Sequence, residues 1–140
     1  MPYLHGVIAA GRSAAQKRSL ILALTDATER VLEVPRNEIY VFICELSTES
    51  LGYGGAEPDA TTINNFTMLL REGRHLKVRA VLLEALTDAV QIALNVSRPH
   101  IQVLLSEISP ANIGEGGIPM GAPQQPAWFL TGRDAPSPIE

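Results

Sequence analysis

A proline directly follows the initiator methionine of this chain, in the segment MPYLHGV. A methionine that precedes a small residue is normally removed after synthesis, so we expect the mature chain to begin at Pro2 with a free secondary amine. Once it has lost its proton, such an amine can act as a base or as a nucleophile. Proline is also an ordinary residue at this position, so the rest of the sequence has to support or weaken the chemical interpretation.

Three arginines lie at turns where a carboxylate could bind. Arg12 comes immediately before Ser13, a predicted helix N-cap, so an anion there would meet both a guanidinium group and a helix N-terminus. A solvated loop arginine is the alternative interpretation of Arg12. Arg71 and Arg74 are three residues apart and are followed by His75, which predicts only a weak helix cap. A pair of arginines beside a weak cap favours a binding role.

Neighbouring arginines would also change the chemistry of the terminal amine. Burial and nearby positive charge both disfavour a protonated amine, so they lower its pKa. A base with a pKa near neutrality is suited to proton transfer in enzymes. The ring of Pro2 also fixes φ, so its nitrogen points in one direction at little entropic cost.

Composition limits the possible partners. The chain has 140 residues, of which 46% are hydrophobic, and a net charge of −4. Nucleic acids and anionic membranes need clustered positive charge, so we expect neither as a partner. The sequence has no signal-peptide pattern and no apolar run near the ~20 residues of a membrane span. A cytoplasmic protein that binds a small molecule or another protein is expected.

The chain consists of two copies of one unit. Shifted by 62 positions without a gap, GRSAAQKRSLILALTDA at 11–27 aligns with GRHLKVRAVLLEALTDA at 73–89. At the same shift, VPRNEIYVFICEL aligns with VSRPHIQVLLSEI, and GYGG aligns with GEGG. About a third of positions 4–55 are identical in the two copies. A long period that occurs twice indicates a fused dimer of a small motif rather than a solenoid.

Each copy predicts a strand, a helix, a second strand and a hairpin. In the first copy, Ser13 and Gln16 form a capping box, and apolar residues follow at helical spacing: Leu20, Leu24, Ala27 and Val31. Residues 39–44 are apolar on both faces, which predicts a strand buried on both sides. Two such β-α-β units predict an α/β fold of two layers, with a four-stranded sheet and both helices on one face. The other face of the sheet needs a partner, most simply another copy of the chain.

The repeat predicts the boundaries of the chain's parts. Residues 1–60 and 61–117 form the two β-α-β units, and 118–140 form a C-terminal tail rich in proline and glycine. The tail has no periodicity, so we expect it to run over the surface without regular structure. Trp128 and Phe129 are its candidate anchors, either over a pocket or across a subunit boundary. We predict no cofactor, and the histidines lack the spacing of a metal site.

These features together resemble the 4-oxalocrotonate tautomerase family of the tautomerase superfamily. The resemblance rests on Pro2, the following strand, the GRS turn, a helix with AAQKRSLI, the next strand and the GYGG hairpin. It covers residues 2–55 and, more loosely, 64–117. Because both copies lie on one chain, the sequence is similar to the fused tautomerases. The resemblance implies the tautomerase fold and a homotrimer that covers the exposed sheet faces.

The resemblance also implies roles for the candidate residues. It implies a cofactor-free isomerase that uses Pro2 as the general base on a small unsaturated 2-hydroxy or 2-keto carboxylic acid. The segments REGR and GEGG are further similar to the cis-3-chloroacrylic acid dehalogenase group. In that group the matching arginines bind the substrate carboxylate and the matching glutamate activates water, which implies those roles for Arg71, Arg74 and Glu115. Arg12, in the GRS turn, is a further candidate for the carboxylate.

Some positions depart from these families. The second arginine of the tautomerases, on the strand after the helix, is replaced by Tyr40 in the first copy and Gln102 in the second. Leu104 replaces the strand tyrosine of the dehalogenases, which weakens the prediction of dehalogenation. Asn64 stands where the second copy would need its proline, so we expect one working site per chain.

Three functions remain open. A tautomerase needs a neutral Pro2 and does not need Glu115. A hydratase or hydrolytic dehalogenase of a 3-substituted acrylate needs a protonated Pro2 as the acid and Glu115 to activate water. A non-catalytic oligomeric or binding protein would tolerate the loss of Pro2.

Overall fold

The computed structural model describes residues 1–137, which form two β-α-β units and a short C-terminal helix. The elements are β1 (Tyr3–Ala9), α1 (Ala14–Leu32), β2 (Tyr40–Leu46), β3 (Asn64–Arg71), α2 (Leu76–Leu94), β4 (Ile101–Ile108), β5 (Gly114–Glu115), β6 (Ile118–Pro119) and α3 (Ala127–Leu130). Among the described residues, no helix combines the length and the apolar character needed to cross a membrane.

The four long strands form one sheet in the order β2, β1, β3, β4. Each unit contributes a parallel pair, and the central strands β1 and β3 pair antiparallel. The two units are therefore related by a pseudo-twofold axis between β1 and β3. This arrangement confirms the predicted α/β fold, and it sets the start of each central strand beside the end of the other.

Both long helices begin with a side-chain cap. Ser13 Oγ accepts a hydrogen bond from Gln16 N–H, and Gln16 Oε1 accepts one from Ser13 N–H, each at 3.1 Å, which confirms the predicted capping box. The second helix has a side-chain cap of a different kind, without a capping box. The imidazole Nδ1 of His75 accepts a hydrogen bond from Lys77 N–H at 3.1 Å, so a ring nitrogen replaces the serine oxygen.

The core lies between the helices and one face of the sheet. Its fully buried side chains come from both units and include Leu4, Ile8, Leu20, Leu24, Phe66, Met68, Leu82 and Leu86. Equivalent ion pairs join each helix to the strand or turn that follows it: Lys17–Glu45 with Arg79–Glu107, and Asp26–Arg36 with Asp88–Arg98. The repeat therefore preserves helix-to-sheet contacts as well as apolar spacing.

The opposite face of the sheet is open in the single chain. Tyr40 and Phe42 expose 48% and 50% of their surface, and Leu104 exposes 54%. Cys44 is exposed on the same face. Nothing within residues 1–137 forms a second layer over this face, so burial of β2 on both sides would need a partner, as expected from the sequence.

The C-terminal tail has more structure than its composition predicted. β6 pairs with β5, and α3 buries Trp128, whose Nε1 donates a hydrogen bond to the carbonyl oxygen of Val31 at 2.8 Å. The ring of Phe129 stacks on His75 with 4.7 Å between ring centroids. Both aromatic residues therefore anchor the tail on its own chain.

Candidate active site

Backbone hydrogen bonds hold the beginning of the chain at one end of the sheet. Tyr3 pairs with Tyr40 of β2 on one side and with Leu69 of β3 on the other. The carbonyl oxygen of Pro2 accepts a hydrogen bond from Tyr40 N–H at 3.1 Å, and Pro2 is buried. The two strands on either side of β1 therefore fix the position of Pro2, although it lies next to the chain terminus.

Charged residues surround the terminal amine. Continued two residues before Tyr3, the strand register sets Met1 between Glu38 and Arg71. Burial lowers the pKa of the Met1 amine below its ordinary value, while the charges of Glu115 and Glu38 raise this pKa and those of Arg71 and Arg74 lower it. The chain terminus thus lies in a pocket with two acidic and two basic neighbours.

The guanidinium group of Arg74 is buried without a partner. Only 4% of Arg74 is exposed, and Nε, Nη1 and Nη2 form no hydrogen bond with any described residue. Burial, together with repulsion from Arg71, lowers the pKa of Arg74 to about 10, and Glu107 opposes the change. A buried charge with three unused donors is costly unless an anion binds it. The geometry of this group suits a carboxylate.

The turn that carries the two arginines is held by the C-terminal tail. Gly73 has a φ of 123°, a conformation that favours glycine. Gln125 Nε2 donates to the carbonyl oxygen of Gly73 at 2.8 Å, and Gln125 Oε1 accepts from His75 N–H at 3.2 Å. Arg71 Nη1 donates to the carbonyl oxygen of Gly121 at 2.9 Å. The tail therefore fixes the orientation of this turn from outside the repeat.

A cavity of about 480 Å³ lies between the end of α1, the arginine turn and the tail. Its lining combines apolar and charged side chains, which include Leu32, Val34, Leu130, Glu38, Arg71 and Arg74. This volume is within the usual range of small-molecule sites. The cavity can therefore take a small acid whose carboxylate faces the arginines.

The structure brings four of the five predicted site residues together. Arg71 and Arg74 lie beside the chain terminus that carries Pro2, and Glu115 is close enough to alter the pKa of the terminal amine. Glu115 itself is exposed, on β5. These four groups can bind a carboxylate and move a proton beside it.

Within one chain, the structure sets Arg12 apart from the other four candidates. Arg12 follows β1, and the antiparallel pairing of β1 with β3 sets Ile8 opposite Asn64, at the other end of the sheet. There its Nη2 contacts the carbonyl oxygen of Ala60 at 3.5 Å. Within one chain, Arg12 therefore lies at the opposite end of the sheet from Pro2. The pseudo-twofold axis relates these two ends to each other.

Asn64 occupies the place of Pro2 at that second end. Its side-chain Nδ2 donates to the carbonyl oxygens of Thr61 at 2.8 Å and His100 at 3.1 Å. Asn64 is an internal residue, so it carries a backbone amide where the first unit carries an amine after removal of Met1. The second end therefore keeps an arginine but lacks a base of this kind.

Sequence reasoning missed Glu38 and Gln125. Glu38 ends the one-turn helix Arg36–Glu38 and lines the cavity. Glu38 could have been found from the sequence. If the first two strands pair in parallel, the residues just before Tyr40 lie beside the chain terminus, and Glu38 is one of them. Gln125 lies in a segment without periodicity, so no pattern marked it. Within residues 1–137, no group of three or more His, Cys, Asp or Glu side chains could hold a metal ion.

Comparisons with known sequences agree with the duplicated architecture. The family model described as Tautomerase enzyme matches residues 2–60 and 67–122, one match for each unit. A probable tautomerase of Ralstonia nicotianae is 33% identical over 57 residues, which make up 41% of this chain and 81% of that protein.

Solved structures share the arrangement of both units. A wild-type fused 4-oxalocrotonate tautomerase, solved as an asymmetric trimer, has a TM-score of 0.80 at 26% identity and covers 84% of this chain and 95% of its own. A fused homologue solved as a symmetric trimer has a TM-score of 0.79 at 25% identity, with coverage of 84% and 95%. A member of the cis-3-chloroacrylic acid dehalogenase family shares the fold, with a TM-score of 0.80 at 22% identity and coverage of 93% and 89%. By its two matched repeats, this chain belongs to the tautomerase family.

Proposed function

We propose that the protein is a cofactor-free tautomerase that uses the amine of Pro2 as the general base on a small unsaturated 2-hydroxy or 2-keto carboxylic acid. The observation that carries this proposal is the juxtaposition of a buried chain terminus with Arg74, whose three guanidinium nitrogens have no partner among residues 1–137. Removal of Met1 gives the amine of Pro2 this environment.

Substrate binding follows from the unused donors. The substrate carboxylate receives two hydrogen bonds from the guanidinium fork of Arg74, because a planar fork matches a planar carboxylate. Arg71 donates one hydrogen bond to Gly121 and keeps its positive charge near the oxygen at C2 of the substrate. Both positive charges are held in place before the reaction, so they stabilise the negative charge that develops on the substrate oxygen.

The reaction needs only one proton carrier. Neutral Pro2 accepts the proton of the enol hydroxyl; the O–H bond breaks, the C2–O bond becomes a carbonyl, and the electrons of the C2–C3 double bond move toward carbon. The protonated amine then donates the same proton to C3, or to C5 in a dienol, and becomes neutral again. No atom or electron is gained or lost, so the isomerisation needs no cofactor.

The protonation state of Pro2 decides how fast this cycle runs. The base form is present above the pKa of the amine, so the rate rises with pH through that pKa. Burial is the largest influence on the amine of Met1 and lowers its pKa. The same cause acting on the amine of Pro2 would make more of the base form available near neutral pH. The negative charges of Glu115 and Glu38 oppose this lowering of the pKa.

The acidic neighbours favour a second candidate function. Glu115 has the largest charge effect on the terminal amine and raises its pKa, which favours the protonated form. Protonated Pro2 could then donate to C2 of a 3-substituted acrylate while Glu115 takes a proton from the water that attacks C3. This is the hydratase or hydrolytic dehalogenase alternative, and it depends on Glu115.

We also propose that the chain works as a homotrimer. The fused relatives were solved as trimers, and Tyr40, Phe42 and Leu104 leave an apolar face exposed in the single chain. Contact between copies would bury this face, since a large exposed apolar patch marks an interaction site.

The test is ketonisation of 2-hydroxymuconate and phenylenolpyruvate, followed by ultraviolet absorbance after intact mass has established removal of Met1. We expect turnover of at least one acid, a loss of about 100-fold or more in kcat/KM for Pro2→Ala, and little loss for Glu115→Gln. A folded, trimmed chain that ketonises neither acid overturns the tautomerase. Water addition to an acrylate that depends on Glu115 would support the second candidate instead.

A further inference from the structure

We propose that Glu38 determines the substrate class of the site, which accepts monocarboxylic acids and disfavours dicarboxylic acids of the same length. The inference rests on the proposed function and narrows its substrate. The inference depends on the position of the Glu38 carboxylate and on the charges that line the cavity. It also depends on Tyr40 and Gln102, which stand where the tautomerases have their second arginine.

Glu38 lies across the chain terminus from the arginines. The strand register sets Glu38 on the β2 side of Met1 and Arg71 on the β3 side. Both Glu38 and Arg71 line the same cavity. A molecule that binds the arginines by its carboxylate and passes the amine of Pro2 therefore extends toward Glu38.

No described residue neutralises the Glu38 carboxylate. The nearest arginine in sequence, Arg36, is engaged with Asp26 at 2.6 Å and with Glu29 at 3.3 Å. Within residues 1–137, the side chain of Glu38 takes part in no ion pair or hydrogen bond, although it is half-buried. Its charge therefore acts on the chain-terminal amine, whose pKa it raises, and on whatever occupies the cavity.

The charged lining has one cationic end and one anionic end. The cations are Arg71 and Arg74; the anions are Glu38 and Glu33, whose Oε2 accepts a hydrogen bond from Ala127 N–H at 2.7 Å. A second substrate carboxylate near Glu38 would face a like charge within the cavity, and such a contact acts as a repulsive element against that ligand.

β2, the strand that follows Glu38, carries no lysine or arginine to offset this repulsion. The position that carries the second arginine of the tautomerases is Tyr40 in one unit and Gln102 in the other. The remaining wall near Glu38 is apolar and includes Leu32, Val34 and Pro35. The favoured substrate is therefore a 2-hydroxy or 2-keto monocarboxylic acid whose far end is apolar or donates a hydrogen bond.

Two matched ligands test the inference without turnover. Pent-2-enoate and glutaconate share a five-carbon skeleton and differ by one terminal carboxylate. Their dissociation constants are measured by NMR titration for the trimmed wild type, Glu38→Gln and Glu49→Gln. The last variant removes the same charge from an exposed residue in the one-turn helix Thr48–Ser50, at the other end of β2.

We expect Glu38→Gln to shift the ratio of the two dissociation constants toward glutaconate by about ten-fold or more, because the repulsive charge is gone. Glu49→Gln should leave the ratio within about two-fold of the wild type, since exposed distant charges are screened. Thermal melts of the three proteins establish that each is folded. An unchanged ratio in Glu38→Gln, or an equal shift in Glu49→Gln, overturns the inference.

Turnover separates this inference from the proposed function. With phenylenolpyruvate and 2-hydroxymuconate, the wild type should favour the monocarboxylate in kcat/KM, and Glu38→Gln should reduce that preference. If the wild type converts neither acid, the proposed function fails while the binding ratio still decides the role of Glu38. If both acids are converted and the preference is the same in Glu38→Gln, Glu38 does not set the substrate class.

Discussion

At the scale of single residues, Arg74 illustrates a conflict between stability and binding. Its guanidinium group is buried beside Arg71, with Glu107 as the acidic neighbour that favours its charge. The lowered pKa of Arg74 means that the folded chain holds the charged form less well than water does. The substrate carboxylate that we propose for this site would explain why a residue that weakens the fold in this way is present.

Replacing Arg74 with methionine should therefore separate the two effects. Arg74→Met should raise the free energy of unfolding by about 1 kcal/mol, because an apolar side chain of similar length removes a buried unpaired charge. The same change should lower kcat/KM by about 100-fold or more, since the carboxylate loses its bidentate partner. Chemical denaturation and ketonisation rates measure the two quantities. A variant that is less stable and fully active would contradict this account.

Arg12 provides the matched control, because it is the equivalent arginine of the other unit. Arg12→Met should lower kcat/KM by less than about three-fold, since Arg12 lies at the far end of the sheet and contacts Ala60. A loss as large as that of Arg74→Met would show that Arg12 reaches the reacting acid.

The residues of the site could be predicted only in part from the sequence. Pro2, Arg71 and Arg74 were marked by type and spacing, and the structure sets them at one end of the sheet. Arg12 lies at the other end within one chain, which spacing could not show, because spacing does not reveal which turns face each other across an antiparallel strand pair. Glu38 was missed for the related reason that its neighbours are set by strand register.

At the scale of elements, the C-terminal tail acts on the site through the turn between β3 and α2. Trp128 fixes the tail to α1 through Val31, and Gln125 bonds to both Gly73 and His75. The tail therefore links the end of one helix to the beginning of the other. The tail acts on the arginines through the backbone of the turn and through the hydrogen bond that the Arg71 side chain donates to Gly121.

Removing the Gln125 side chain should loosen the arginine turn. Gln125→Ala leaves the Gly73 carbonyl and the His75 amide without their partner, so KM for the acid should rise by about ten-fold with a smaller change in kcat. Steady-state kinetics with phenylenolpyruvate measure the effect. Gln125→Glu, which can still accept from His75, should recover part of it. Equal losses in both variants, or a change in kcat alone, would argue against this positioning role.

The regular elements were easier to predict than the tail. Apolar spacing and the Ser13–Gln16 capping box located α1, because a helix repeats its pattern over many residues. The tail is held by a few contacts of Trp128, Phe129 and Gln125, and single contacts leave no period in the sequence. Composition alone therefore predicts a tail without regular structure, but the tail contains β6 and α3.

At the scale of the whole molecule, the open face of the sheet carries a row of aromatic side chains. Tyr40 and Phe42 lie parallel with 6.5 Å between ring centroids, and His5 stacks on Phe42 at 4.9 Å. The rings are exposed in the single chain. Such a surface is suited to a contact between copies.

A charge on this face should prevent assembly. The wild type is expected to have a mass in solution of three times the 15.1 kDa of the chain. Phe42→Arg should reduce the mass toward that of one chain, because repeated buried cations without partners are unfavourable. Size-exclusion chromatography with light scattering measures both proteins, and circular dichroism shows whether the variant is folded. A wild type that elutes as a single chain contradicts the trimer.

The most direct test of the central claim is the pKa of Pro2 itself. NMR titration of the trimmed protein with nitrogen-15-labelled proline gives the pKa of its amine, in the folded state and in urea. We predict that the pKa of the Pro2 amine is lower in the folded state than in urea. Burial and the charges of Arg71 and Arg74 should lower this pKa by more than Glu38 and Glu115 raise it. We also predict that kcat/KM for ketonisation rises with pH through that same pKa. A folded-state pKa equal to or above that in urea, or a rate that rises at a different pH, would contradict the assignment of Pro2 as the base.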